Sequence, residues 1–174
     1  MAQKKSNNVE KEIQEVKTDE EVEENLTAEG RSMIQSLKEF IKQCPYLEKY
    51  RNLFPVVTVD KLPENVTSYM IMPVPAEPWI KQYVDGTGKK QFLFNFSSRA
   101  FYSTDEKTNV KNNEFFEQFS DWLDECTKKK IFPDLKEGQM PYKIVATTSG
   151  YLFNESETKA QYQIQCRLEY YQSN

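Results

Sequence analysis

Tyr142-Lys-Ile-Val-Ala-Thr-Thr-Ser-Gly-Tyr-Leu-Phe153 runs into the polar turn Asn154-Glu-Ser-Glu-Thr158. The chain returns as Lys159-Ala-Gln-Tyr-Gln-Ile-Gln-Cys-Arg-Leu-Glu-Tyr-Tyr171. In the return segment Ala160, Tyr162, Ile164, Cys166, Leu168 and Tyr170 share one face, and Gln161, Gln163, Gln165, Arg167 and Glu169 share the other. Unbroken period-two alternation of this length predicts a strand with one buried face and one face that is wet or covered by a partner. With its predecessor it reads as a long closing hairpin. The clearest order in the chain is thus spent on a two-faced sheet, which points to assembly rather than catalysis.

Working outward, Lys128-Lys-Lys130 closes a predicted helix whose buried stripe is Phe115, Phe116, Phe119, Trp122, Leu123 and Cys126. Asn109 or Asn112 is the expected cap, with Glu114 in the early turn. The lysine run is the expected cationic end of a helix dipole. From Ile131 a linker is expected to reach Pro141. Upstream, Trp79–Val84 and Lys90–Phe96 flank Asp85-Gly-Thr-Gly-Lys89, and Asp-Gly between alternating runs predicts a hairpin. Phe92, Phe94 and Phe96 point one way, in a strand expected to continue past Arg99 toward Tyr102. Ser68–Met72 is a short apolar strand, expected to be ended by Pro73, Pro75 and Pro78. Phe54–Asp60 is a strand candidate confined by Pro55 to an edge or a strand start.

The body is expected to begin near Leu26, with Thr27 capping a helix and Glu29 in its first turn. Met33, Ile34, Leu37, Phe40, Ile41 and Cys44 form its buried stripe, and Pro45 stops it. Residues 46–52 are expected to add a short helical turn. The order helix, strands, helix, hairpin predicts an α+β fold, a largely antiparallel sheet with two main helices packed on one face.

The domain organisation follows from charge. Residues 1–25 hold four lysines and eight acids, no aromatic residue, and only Val9, Ile13 and Val16 at helical spacing. They are expected to be a charged extension, disordered or a marginal helix that needs a partner. Residues 26–174 then form a single domain. Since the chain carries −4 overall, and 4 − 8 = −4 lies in the extension, that body is formally neutral. A neutral body lacks the basic footprint of a dedicated nucleic-acid binder. No apolar stretch is long enough to span a bilayer, and no apolar signal region marks the N-terminus. The sequons at Asn25, Asn65, Asn95 and Asn154 are therefore read as coincidental. Cys44, Cys126 and Cys166 are scattered on apolar faces and are expected to be buried thiols in a reducing compartment.

Reactive chemistry is scarce. The chain has no histidine, which removes His-based triads and His metal sites. Three cysteines without CxxC spacing do not suggest structural zinc. Gly86-Thr-Gly88 lacks the remainder of a phosphate-loop pattern and is read as a turn. Asp121, Asp124 and Glu125 could offer acid–base chemistry but fall where a solvated helix face belongs. The Phe92–Phe96 row is read as core rather than a base-stacking platform. No catalytic residue, cofactor or metal is expected.

Phe92-Leu-Phe-Asn-Phe-Ser-Ser-Arg-Ala-Phe-Tyr-Ser103, Asn109-Val-Lys-Asn-Asn-Glu-Phe-Phe-Glu-Gln-Phe-Ser-Asp-Trp-Leu123 and Ala160–Tyr170 together resemble the tail terminator proteins of long-tailed bacteriophages and phage tail-like bacteriocins, often labelled minor capsid proteins. The resemblance spans roughly residues 26–172 and rests on pattern and element order. It implies a ring-forming subunit, commonly hexameric, that caps the head-proximal end of the tail tube, stops tube polymerisation and presents a docking surface to the head. The implied partners are further copies of itself, the tail tube protein and the head–tail connector or collar protein, with the sheath protein as a further candidate. No membrane is implied. The implied location is the head-proximal end of the virion tail, after assembly in the bacterial host cytoplasm. The family pattern assigns no contact residues. From the residues alone, the candidate subunit or tube interface is Asp85, Gly86, Thr87, Gly88 and Lys89 in the hairpin turn, with Gln161, Gln163, Gln165 and Arg167 on the closing strand. Two other readings are carried. One is a small-molecule or peptide-binding module, with Trp79, Tyr83 and Phe92–Phe96 lining an aromatic pocket. The other is a hydrolase using Asp121, Asp124 or Glu125.

Overall fold

A computed structural model describes residues 32–47, 57–60, 68–101, 106–155 and 159–173. The expected extension 1–25, its boundary, Thr27 and Glu29 lie outside these residues. So do residues 48–56, including Pro55, and Tyr102.

The fold is α+β, with two helices and a mostly antiparallel sheet of seven strands among the described residues. Helix α1 is Met33–Ile41. The strands are β1 (Val57–Val59), β2 (Ser68–Val74), β3 (Trp79–Gln82) and β4 (Gly88–Phe101). Helix α2 (Glu106–Lys129) follows, then β5 (Gln139–Ala146), β6 (Tyr151–Glu155) and β7 (Lys159–Gln172). The sheet runs β1-β2-β4-β7-β5, with only β1 and β2 parallel. Strands β4 and β7 pair along their whole length, from Gly88↔Gln172 to Phe101↔Lys159. Strand β3 joins the same side of β4 as β2, and β6 joins the same side of β7 as β5.

The cap of α1 is Ser32. Its hydroxyl accepts from Gln35 N while Ser32 N donates to Gln35 Oε1 at 2.8 Å, a reciprocal capping box. The α1 stripe packs as its spacing predicts, with Leu37, Phe40, Ile41 and Cys44 buried. Helix α2 begins at Glu106, earlier than either expected asparagine cap. Asn109 and Asn112 fall inside it, so their cap preference is overridden by an already running helix. Its end follows expectation. Lys128 and Lys129 occupy the last turn, and Lys130 takes φ 58. Ile131 N then donates back to Cys126 O at 2.9 Å, closing the helix in the Schellman manner.

Strand β2 does not stop at Pro73 but continues to Val74. Ile71 O accepts from Asp60 N, so Ile71 turns its backbone polar groups toward the β1 side. Pro73, two residues on, faces the same way. Among the described residues β1 pairs no further than Ile71, so the N–H that Pro73 lacks has no ladder partner there.

The arm preceding β7 is also two strands rather than one. Thr147–Gly150 separates β5 from β6, and β5 starts at Gln139, so Pro141 lies within it. Threonines replace the ladder in the gap. Thr147 N donates to Gln165 O at 2.7 Å, and Gln165 N donates to Thr148 Oγ1 at 3.0 Å. Gly150 then passes so close to α2 that a Cβ there would lie 2.5 Å from Phe116 Cβ.

Both helices cover one face of the sheet. From β2, β4, β5 and β7 that face presents Tyr69, Ile71, Phe94, Phe96, Ile144, Ile164, Cys166 and Leu168, all buried. Phe119 of α2 stacks on Phe96 at 4.3 Å, and Trp122 stacks on Phe40 of α1 at 5.0 Å. Offset aromatic contacts of this kind add to the area they bury. Thr127 Oγ1 of α2 donates to Ile144 O at 2.6 Å and accepts from Ile144 N at 2.9 Å, so the helix occupies the outer edge of β5.

Candidate functional site

The turn Asp85–Lys89 projects from the β3–β4 hairpin. Gly86 has φ 87 and Gly88 φ 157, and a Cβ on Gly88 would collide with Lys81 O. Glycine is needed there both for conformation and for the close approach. Asp85 Oδ1 accepts from Thr87 Oγ1 at 2.8 Å and Thr87 N at 3.0 Å. These bonds favour the carboxylate, so the Asp85 carboxyl titrates below its ordinary value. Thr87 Oγ1 also meets Tyr171 Oη at 3.1 Å, which ties the turn to the end of β7. The turn is therefore preorganised, with its carboxylate already satisfied internally.

Gln161, Gln163, Gln165 and Arg167 lie on the face opposite the helices, but on a central strand. Strand β7 is flanked by β4 on one side and by β5 and β6 on the other. Its polar row is consequently knitted to its neighbours. Gln163 is 2% exposed, donates to Tyr151 Oη and accepts from Ser97 Oγ at 3.5 Å. Thr147 Oγ1 donates to Gln165 Oε1 at 3.3 Å. Arg167 meets Glu169 at 3.0 Å, and Glu169 also accepts from Tyr142 Oη at 3.0 Å. Burial, then the bond to Glu169, pushes the Tyr142 phenol up to about 12. The turn meets the end of β7 through Thr87 and Tyr171, and Lys89 Nζ lies 5.5 Å from the ring centroid of Tyr142.

Among the described residues, the buried Ser68 Oγ, Asn95 Oδ1 and Arg167 Nε have no hydrogen-bond partner, and all sit on this same face. Alternation in β2, β4 and β7 signals the polar face, but the burial of Ser68 and Ser97 depends on strand order and could not be read from spacing.

The aromatic-pocket candidates do not converge. Phe94 and Phe96 are fully buried against α2, while Tyr83 is exposed at the distant hairpin. Trp79 is half-buried under Lys90, whose Nζ lies 4.3 Å from its ring centroid. Asp121, Asp124 and Glu125 are exposed on α2, and Glu125 pairs with Lys129 at 2.8 Å. That pairing holds the Glu125 carboxyl below its usual range. Among the described residues, no group of three or more His, Cys, Asp or Glu side chains could hold a metal ion. All three cysteines are free and buried, and desolvation raises each thiol above its ordinary value, Cys44 to about 11. Among the described residues no helix is long and apolar enough to cross a membrane.

Surface chemistry is instead displayed at the sheet margins. Ile80, Tyr83 and Val84 are exposed at the β3 hairpin, and Tyr151, Leu152 and Phe153 along β6. The arrangement defines the class: an α+β fold whose described residues give one helix-covered sheet face, one polar face and apolar margins. No protein-family model matches the chain, and no curated protein matches it.

Proposed function

We propose that this chain is a structural, non-enzymatic virion protein, a ring-forming tail terminator that caps the head-proximal end of a phage or phage-like tail tube. The reading rests on the resemblance of residues 26–172 to such proteins. The observation that best supports it is the plate formed by β4 and β7, paired in full register over fourteen residues each, with both described helices on the same face. A stiff plate with one helix-packed face, one polar face and apolar margins suits a subunit that must contact neighbours, a tube end and a connector at once. The partners in this proposal are further copies in a ring, most simply a hexamer, the tail tube protein and the connector or collar protein, with the sheath as a further contact. The ring is assembled in the host cytoplasm and stays at the head-proximal end of the tail.

Deleting the gene tests this. Electron microscopy of the resulting particles should show tails of uncontrolled length, or tails unable to join heads. Uniform tails joined to heads in the deletion would refute the terminator reading.

A further inference from the structure

The Gly88 end of the β4–β7 plate gathers cations on the face opposite the two helices. Lys81 and Lys89 lie directly opposite each other across the β3–β4 ladder, and both are exposed. Like charges in that position destabilise a strand pair. Neither lysine forms an ion pair among the described residues. Each stands over a tyrosine instead. Lys81 Nζ is 5.2 Å from the ring centroid of Tyr83, and Lys89 Nζ is 5.5 Å from that of Tyr142.

Tyr142 joins these lysines to the polar row of β7. Its hydroxyl donates to Glu169 at 3.0 Å. Glu169 also meets Arg167 Nη2 at 3.0 Å and Lys143 Nζ at 3.8 Å. The Glu169 side chain is 11% exposed, so it is a buried anchor that draws two cations and a phenol to one point. Arg167 and Lys143 keep their outer parts in solvent, at 34 and 41% exposure. Both carboxylates of the corner are thus spent on neighbours in their own chain, Glu169 as just described and Asp85 on the two donors of Thr87. Lys81, Lys89, Lys143 and Arg167 against Asp85 and Glu169 leave a local charge of 4 − 2 = +2.

We infer that this corner docks an acidic segment of a partner protein, with closely spaced carboxylates pairing to Lys81 and Lys89 and flanked by Lys143 and Arg167. The opposed lysines cost stability in the free chain, and a carboxylate bound between them relieves that cost. Tyr83 and Tyr142 hold the two ammonium groups in place beforehand, which reduces the entropy lost on binding. Peptide carboxylates fit better than nucleic-acid phosphates for two reasons. Each tyrosine ring already carries a lysine, so neither is a clear platform for stacking a base. The formally neutral body also lacks the extended cationic track that successive phosphates need. The inference uses only the charges and rings of this corner and stands apart from the terminator reading.

The test is fluorescence anisotropy of a labelled oligoglutamate peptide titrated with the full chain, with an oligothymidylate of equal length beside it. Saturable binding of the peptide is expected at low salt, weakening as ionic strength rises because the cations are exposed. Lys81→Gln with Lys89→Gln should weaken it about five- to thirtyfold, toward the upper end for two exposed pairs because the rings fix the lysines. The same double variant should keep or raise Tm, since it removes the opposed charges. Lys128→Gln with Lys130→Gln, at the end of α2, removes equal charge and should bind as wild type does. No saturable binding by the wild type, or a folded Lys81/Lys89 variant that binds normally, would overturn the site. Equal loss in both double variants would overturn it too, by showing a response to overall charge. Tighter binding of the oligothymidylate would overturn the acidic-peptide assignment, and a lowered Tm for Lys81→Gln with Lys89→Gln would overturn the like-charge argument.

Discussion

Gly150→Ala isolates one close approach in this fold. An alanine Cβ would sit 2.5 Å from Phe116 Cβ, 2.8 Å from Cγ and 3.1 Å from Cδ2. Phe116 is 1% exposed in the middle of α2, so it cannot swing into solvent to make room. Forcing a methyl into a packed site costs ~1–3 kcal/mol. Gly150 has no positive φ, so alanine is not strained by its backbone. The same substitution therefore gains about 0.4–1 kcal/mol by restricting the unfolded chain. The clash should win, leaving a net loss of roughly 0.5–2.5 kcal/mol. For a domain of this size that lowers Tm by about 1–10 °C. Urea unfolding should show a lower midpoint with an unchanged slope, since the surface exposed on unfolding is the same. A midpoint equal to or above wild type would refute the reasoning, because it would mean that β6 and α2 separate freely and that the break after β5 is not held by packing.

Trp122→Ala should cost about 3 kcal/mol, the low end for a large aromatic because Trp122 is only partly buried. Asp124→Ala, on the exposed face of α2, should stay within about 0.5 kcal/mol of wild type in the same urea assay. The Tyr142 phenol, raised by burial and by Glu169, stabilises the fold fully below pH 10, and that contribution should fade as pH rises through about 12. Stability measured from pH 9 to 12 should consequently fall more steeply for wild type than for Tyr142→Phe, and identical alkaline limbs would remove the Tyr142–Glu169 bond from the account.

Much of the fold was legible because its periodicities are strong. The alternation of β7 announces its core face, and Tyr162, Ile164, Cys166, Leu168 and Tyr170 are all buried. The α2 stripe and the Asp85–Lys89 hairpin follow equally from side-chain spacing and turn chemistry. Where local signals compete with a running element, they lose. Asn109 and Asn112 do not start α2, and Pro73 does not end β2. In each case the neighbouring backbone decides whether the hydrogen bond at issue exists.

The candidate site divides along the same line. Sequence alone determined that Gln161, Gln163, Gln165 and Arg167 share a face, since a period of two leaves no alternative in a strand. It also determined that a tight glycine turn joins β3 to β4. Only the tertiary structure decided that β7 is central, that Gln163 is engaged by Ser97 and Tyr151, and that the exposed apolar margins belong to β3 and β6. Strand order and the contacts across it join residues far apart in the chain, such as Ser97 with Gln163 and Thr87 with Tyr171. The spacing within one strand shows which side chains share a face, but the strands placed beside it determine whether that face or edge is covered.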